Sequence, residues 1–216
     1  MKTFINNFLV RIFSNIKSKH ERDVINQMKV QLGFCDKNVT LHYPILVFNA
    51  QNVFLYENTN IYENSTILTV SAKFIMKKNS GAAQGLTVVT GNHSSETGVW
   101  FKELIHIADE EKDIIVEEDV WIATNVTLLA GVKLGRGSII GAGSVCRKNI
   151  PPYAIVIGNP AKIVGFKFTP TQVIEHELVL YPENERLPLE QLEKNYSKYV
   201  LNNLEGINDY LKLSCS

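Results

Sequence analysis

The chain has 216 residues, 45% of them hydrophobic, which is enough for a sizeable core in one main domain with appendages. Its 22 Lys and Arg residues balance 22 Asp and Glu residues, so the sequence lacks the positive field that gathers nucleic acid, and no nucleic-acid partner is expected. The three cysteines are far apart and form no CxxC pair, which argues against a disulfide framework or a cysteine zinc site and predicts a reducing compartment, the cytoplasm.

The N-terminal segment, residues 1–36, is predicted to be helical, because its apolar residues fall at helical spacing. These residues are Phe4, Ile5, Phe8, Leu9, Ile12, Phe13 and Ile16. No run approaches the roughly 18 apolar residues of a membrane span, and a secretory signal would need a cleavage site that is missing here. Residues 1–20 carry four cations and no acid, so the helix either makes peripheral contact with an anionic membrane or packs on the end of the main domain. The second interpretation is favoured, because amphipathic helices usually dock on protein.

A six-residue repeat dominates the middle of the chain. From Ile114 the sequence divides into IIVEED, VWIATN, VTLLAG, VKLGRG, SIIGAG and SVCRKN, with an aliphatic residue third in each of the first five hexads and Cys146 third in the last. The hexads FIMKKN, SGAAQG and LTVVTG precede this block, and a fainter block begins VTLHYP, ILVFNA, QNVFLY before the phase degrades through residues 57–73. An amphipathic helix has a period of about 3.6 residues and could not hold this register.

Each hexad can supply one short strand and one corner, so three hexads close a triangular coil whose strands stack about 4.8 Å apart. Inward aliphatic residues then form a continuous ladder, and Gly, Asn and Asp allow the corner turns. Only the two ends of such a stack need covers, which the N-terminal helix and the predicted helices of residues 169–216 can provide. The prediction is an all-β core, a parallel β-helix over residues 37–168. A β-sandwich is disfavoured, because its strands would not keep a six-residue phase.

The downstream hexads, followed by KNIPPYAIVIGNPAK, resemble the hexapeptide-repeat acetyltransferases, specifically the branch of galactoside, maltose, xenobiotic and polysaccharide O-acetyltransferases. The similarity extends over about residues 39–168. It implies a left-handed coil, which the six-residue spacing alone does not fix, because crossovers are generally right-handed. It also implies acetyl-CoA as the acyl donor, no metal, and a homotrimer in which a neighbour completes each site.

The hexads are interrupted by 22 residues, 92–113. In the family that this chain resembles, such an interruption is a loop that projects towards a neighbouring subunit and carries the catalytic histidine at its base. Here that place reads TGNHSSETG, which makes His93 the expected general base and Asn92 a residue that positions the loop or binds the acceptor. A neutral imidazole is suited to remove the proton of a hydroxyl as its oxygen attacks a thioester. His106 is disfavoured as the base, because it lies mid-loop without a rigid coil edge beside it.

The same resemblance implies that coenzyme A lies along the prism in a groove between two subunits. Its pantetheine is expected at the backbone around Thr124 and Ala142, where small residues allow close approach. Trp121, an outward residue, is expected beside the thiol end of the cofactor or, alternatively, in an ordinary subunit interface. The nucleotide end is expected near three basic residues: Arg147, Lys148 and Lys162.

The resemblance therefore implies an acetyl-CoA-dependent O-acetyltransferase acting on a hydroxyl of a sugar or polysaccharide precursor. N-acetylation of an amino sugar or an antibiotic would use the same donor and base. A zinc-dependent carbonic anhydrase on the same prism would need three converging histidines, and only His93 and His106 lie near the loop. A non-catalytic scaffold is the remaining class, and the loop histidine within its motif argues against it.

Overall fold

The computed structural model describes the backbone of residues 2–104 and 111–200, and the side chains of all of these except 2–9 and 101. Within these residues the chain forms a helix, a three-sided stack of short strands and two further helices. The helices are α1 (Lys2–Gln31), α2 (Pro170–Leu180) and α3 (Leu189–Tyr199).

The strands lie in three sheets, one on each side of a triangular prism. Sheet A consists of β1 (Phe34–Cys35), β4 (Val53–Leu55), β7 (Phe74–Met76), β10 (Ile114–Val116) and β13 (Lys133–Leu134). Sheet B consists of β2 (Thr40–Leu41), β5 (Asn60–Ile61), β8 (Gly81–Ala82), β11 (Trp121–Ile122), β14 (Ile139–Ile140), β16 (Ala154–Ile157) and β17 (Lys162–Phe166). Sheet C consists of β3 (Ile45–Phe48), β6 (Ser65–Leu68), β9 (Thr87–Val89), β12 (Thr127–Leu129) and β15 (Val145–Cys146).

The chain passes through the three sheets in turn, so neighbouring strands in a sheet come from successive coils and pair in parallel. Among the described strands, only β17 runs antiparallel to its partner. This is the left-handed β-helix of hexapeptide repeats, and the predicted fold class, with its N-terminal helix and C-terminal helical segment, is confirmed. The boundaries 1–36, 37–168 and 169–216 stay a prediction.

The coils differ in length, which explains why the hexad phase degrades in the sequence. In the first coils Phe34 pairs with Phe54, and Phe54 pairs with Ile75, so both coils are longer than three hexads. Further along, Ile115 pairs with Lys133, which lies three full hexads later. The coil from Ile75 to its partner Ile115 is the longest of these, because it contains the loop. The first coils thus keep the prism while their corners hold extra residues.

The core is a ladder of inward side chains along the prism axis. On sheet B, Leu41, Ile61, Ala82, Ile122 and Ile140 are stacked in register, and the last four are fully buried. Burial of each large aliphatic side chain contributes about 1.5–3 kcal/mol relative to exposure. Where the hexad phase holds, these inward residues are the third residues of the hexads. The repeat in the sequence therefore marks the side chains that form the core.

The corner between sheets A and B repeats one left-handed backbone conformation. Its residues are Asn38, Asn58, Asn79, Asp119, Gly137 and Tyr153, with φ values between 57° and 67°. Asn and Asp tolerate this conformation better than other residues that have a Cβ, and Gly adopts it freely. The side-chain amide of Asn58 also donates to Oδ1 of Asn79 at 3.1 Å, which links successive corners.

Both ends of the prism are covered. At the N-terminal end, Ile25 and Leu32 are buried against the first coils, and Met28 packs with them. At the C-terminal end, Val173 of α2 and Leu192 of α3 pack on the buried ring of Tyr153.

A buried carboxylate attaches α2 to the coil. Glu177, which is fully buried, accepts hydrogen bonds from the Tyr153 hydroxyl at 2.9 Å, from Nη1 of Arg136 at 3.2 Å and from the backbone N–H of Leu187 at 2.6 Å. The guanidinium of Arg136 lies 4.0 Å from the ring centre of Tyr181, whose pKa burial raises to about 12. The ion pair and its hydrogen bonds therefore join three segments that are far apart in sequence.

Candidate functional site

The loop that interrupts the repeats leaves and re-enters the prism at one point. After β9, the backbone N–H of Thr90 donates to the carbonyl of Leu68 at 3.1 Å, and the N–H of Lys112 donates to the carbonyl of Thr90 at 3.0 Å. The two ends of the loop are thereby held together at the corner between sheets C and A.

Two carboxylates on the returning segment fix this corner. Oε2 of Glu111 accepts from the backbone N–H of Ser71 at 2.6 Å, from its hydroxyl at 2.6 Å and from the N–H of Ala72 at 3.1 Å. Oδ1 of Asp113 accepts from the N–H of Lys73 at 2.7 Å. A Cβ at Gly91 would lie 3.1 Å from Cγ of Glu111, so glycine lets the outgoing chain pass close to this carboxylate. These contacts join segments that no repeat in the sequence relates.

His93 lies just beyond Gly91, on the outgoing side of this rigid corner. Asn92 and His93 are both exposed, whereas Thr90 and Ser94 beside them are buried. The hydroxyls of Thr90 and Ser94 have no hydrogen-bond partner within residues 2–104 and 111–200. An imidazole presented to solvent from a fixed edge can take a proton from a bound substrate. The competing histidine, His106, lies outside the described residues.

Two residues expected at the pantetheine are brought together. Thr124 and Ala142 occupy the corner between sheets B and C in successive coils, where the N–H of Gly143 donates to the carbonyl of Thr124 at 2.9 Å. Both side chains are exposed. Gly143 has a φ of 70°, and no atom of the described chain beyond its immediate neighbours lies within 4 Å of where its Cβ would be. The backbone of this corner is therefore open to a ligand.

The three basic residues expected near the nucleotide lie at one end of the prism. Arg147 and Lys148 follow β15, and Lys162 begins β17, next to Ala161, whose N–H donates to the carbonyl of Val145 at 2.9 Å. All three side chains are exposed, and none forms an ion pair with another described residue. Arg147 and Lys148 lie at the corner after β15, whereas Lys162 lies beside the start of β15, so the width of sheet C separates Lys162 from the other two cations.

Trp121 points outward from β11 and is 47% exposed. Its ring packs on the neighbouring strand, because a Cβ at Gly81 would lie 3.4 Å from the Trp121 ring. Together with Asn60, Asn79 and Lys167 it lines a shallow cavity of about 270 Å³. The indole is thus held against the prism beside open space.

A single prism does not bring His93 to Thr124, Ala142 or Trp121. His93 follows the last residues of a sheet C strand, whereas Thr124 and Ala142 precede the first residues of one, so the width of sheet C separates the two corners. At about 3.3 Å per residue, a side of about six residues spans roughly 20 Å. Trp121 lies on sheet B, the side of the prism opposite the corner that carries His93.

Metal ligands are not clustered in the part of the chain that the structure describes. No group of three or more His, Cys, Asp or Glu side chains there could hold a metal ion. That the reaction needs no metal stays a prediction.

Comparison with known proteins assigns the repeat and the fold. The family model of the bacterial transferase hexapeptide, with six repeats, matches residues 113–148. A maltose O-acetyltransferase from Clostridium difficile 630 superposes with a TM-score of 0.58 at 24% identity, over 63% of this chain and 70% of that chain. The chain has the hexapeptide-repeat acetyltransferase fold.

Two further structures of acetyltransferases have a similar fold. A hexapeptide-repeat-containing acetyltransferase from Vibrio cholerae O1 biovar eltor, complexed with acetyl-CoA, has a TM-score of 0.61 at 24% identity, over 68% of this chain and 77% of that chain. A galactoside acetyltransferase in complex with coenzyme A has a TM-score of 0.53 at 20% identity, over 74% of this chain and 75% of that chain. No curated protein matches the chain. The predicted resemblance to the hexapeptide-repeat acetyltransferases is confirmed in both repeat and fold.

Proposed function

We propose that the protein is an acetyl-CoA-dependent O-acetyltransferase that acetylates a hydroxyl of a sugar or polysaccharide precursor, with His93 as the general base. The observation that carries this proposal is the exposed His93 at a carboxylate-anchored corner of a hexapeptide-repeat prism. The acetyltransferases and CoA complexes among its structural neighbours support the choice of donor.

The proposed reaction is a direct transfer. The imidazole of His93 removes the proton of the acceptor hydroxyl as its oxygen attacks the thioester carbonyl carbon. The carbon–sulfur bond then breaks, and the thiolate of coenzyme A leaves and takes up the proton that His93 removed, which regenerates the neutral imidazole. Backbone N–H groups at a coil edge are suited to stabilise the oxyanion, because they are fixed before the reaction begins. No covalent enzyme intermediate is required.

The test is an assay of released thiol with acetyl-CoA and matched pairs of acceptors, each sugar offered with its amino-sugar analogue. Turnover with the hydroxyl compound supports O-acetylation. Turnover confined to amines would replace the proposal by N-acetylation. An N-acyltransferase from Bacillus cereus has a similar fold. Absence of turnover and of acetyl-CoA binding would favour a scaffold.

We propose that the site lies between subunits of a homotrimer. Three observations support this: His93 and Thr124 lie at different corners of one prism, Trp100 of the loop is 78% exposed, and sheet C presents an outward apolar column. That column is Phe48, Leu68, Val89 and Leu129, in register along the strands. Light scattering should therefore give three times the monomer mass of 24.3 kDa. A fully active monomer would contradict the shared site.

Lys148 is proposed to contact the nucleotide phosphates. Lys148→Ala should raise the KM for acetyl-CoA roughly tenfold and leave kcat at saturation nearly unchanged, because a lost charged hydrogen bond weakens ground state and transition state alike. The control is Lys194→Ala, which removes an exposed lysine from α3. If Lys148→Ala raised the KM for acetyl-CoA no more than Lys194→Ala, Lys148 would not contact the cofactor.

A cytoplasmic location is also proposed. Cys35 and Cys146 are both free thiols, while Cys215 lies outside the described residues. Burial raises the pKa of Cys146 to about 12, so this cysteine stays protonated and packs as a small apolar residue.

A further inference from the structure

The N-terminal helix α1 carries two apolar faces, and only one of them has a partner among the described residues. Its C-terminal part docks on the prism through Ile25 and Met28, followed by Leu32 just beyond the helix. Nearer its N-terminus, Phe13 and Ile16 are 68% and 60% exposed. We call Ile12, Phe13 and Ile16 the exposed stripe.

The exposed stripe cannot reach the surface that the second half of α1 covers. Ile16 and Ile25 are about two and a half turns apart, so the two side chains leave the helix on opposite faces. Ile12 lies one turn before Ile16, on the same face. A continuous helix that buries Ile25 therefore turns Ile12 and Ile16 away from the prism, while Phe13 lies a third of a turn from Ile25 and is itself exposed. A second surface is needed to cover the stripe.

Charge indicates what that surface is. Residues 2–20 contain four Lys or Arg residues and no Asp or Glu, although the whole chain has a formal net charge of zero. Lys17 is 77% exposed, and its ion pair with Glu21 spans 3.8 Å, too exposed and too long to neutralise the segment. A second copy of the same helix would bring like charges together, whereas an anionic surface with an apolar interior matches both the cations and the stripe.

We propose that the exposed stripe binds the surface of an anionic lipid bilayer. Phe13 and Ile16 enter the boundary between headgroups and acyl chains, and Lys17 and Lys19 meet the phosphates, with the helix lying in the plane of the interface. The docked half of α1 then holds the prism against the membrane. Among the described residues, no helix is long and apolar enough to cross a bilayer.

The experiment is co-sedimentation of the full-length protein with phosphatidylcholine vesicles that contain or lack phosphatidylserine. Binding is expected to the anionic vesicles, and raised salt should weaken it. Phe13→Ser/Ile16→Ser should weaken binding at least about tenfold through lost apolar burial. Lys17→Gln/Lys19→Gln should weaken it about fivefold for each cation removed. The matched control is Val179→Ser, which removes an 82% exposed apolar residue from α2 and should change nothing.

Circular dichroism and light scattering of each variant show whether a loss of vesicle binding comes from misfolding or from a change in oligomeric state. Equal binding to both kinds of vesicle, no binding to either, or an equal loss in the Val179→Ser control would overturn the proposal. A changed solution mass of Phe13→Ser/Ile16→Ser with unchanged vesicle binding would also overturn it, because the stripe would then be an interface between copies. The assay needs no acetyl-CoA or acceptor, so its outcome is independent of the proposed reaction.

Discussion

Replacing His93 by Ala is expected to lower kcat by about 10²- to 10⁴-fold, the contribution typical of a positioned general base. The KM for acetyl-CoA and the mass of the assembly should be unchanged, because His93 is exposed and its removal leaves the anchoring of the corner by Glu111 in place. The measurement is steady-state release of thiol with the acceptor that the paired screen identifies.

Two further experiments test the assignment to His93. His106→Ala should lower kcat far less, since this residue lies mid-loop in the sequence. The wild-type kcat/KM should fall as pH is lowered, because protonation abolishes a histidine base, and His93→Ala should lack this dependence. An active His93→Ala together with an inactive His106→Ala would assign the base to the other histidine. Full activity of both variants would contradict the proposed mechanism.

Replacing Glu177 by Ala is expected to reduce the free energy of unfolding by about 3–5 kcal/mol. The fully buried carboxylate is the shared acceptor for Arg136, Tyr153 and the N–H of Leu187. Its removal takes one of two carboxylates from Arg136, which keeps Glu118, and leaves the buried Tyr153 hydroxyl and the partly buried N–H of Leu187 without this acceptor. It also opens space between α2 and the coil.

Urea denaturation measures this loss, and two variants calibrate it. Glu193→Ala removes an exposed carboxylate from α3 and should cost less than about 0.5 kcal/mol. Glu177→Gln should be intermediate, because the amide oxygen can still accept from Tyr153 while one of the two carboxylates that pair with Arg136 is lost. If Glu177→Ala were as stable as Glu193→Ala, the network would not be what holds α2 to the prism.

Periodicity in the sequence determined the fold. Ile122 and Ile140 are in register because they are third residues of hexads one full coil apart in the repeat, so sequence spacing and spatial pairing coincide. The repeat was faint before Phe74, since the coils there are longer than three hexads and their extra residues are placed at corners. Insertions at corners leave the strand pairing intact, but they interrupt the six-residue spacing of the inward residues along the sequence.

The site was only partly accessible from the sequence. The interruption of the hexads located the loop, and the family resemblance selected His93 within it. The sequence could not show that Glu111 anchors the loop, because its contacts with Ser71 and Ala72 join segments on either side of the loop and follow no repeat. Nor could it show that His93 and Thr124 lie at different corners of one prism, which requires the path of the chain around three faces.

The sequence by itself therefore determined the β-helix, its inward ladder and the place of its loop, because each of these follows from local repetition of a short period. Only the tertiary structure decided which face of α1 is covered, how Glu177 joins the C-terminal helices to Arg136 and Tyr153, and which corners carry the candidate site residues. These features depend on contacts between segments that no period relates, and such contacts form only when the coils and the end helices are packed together.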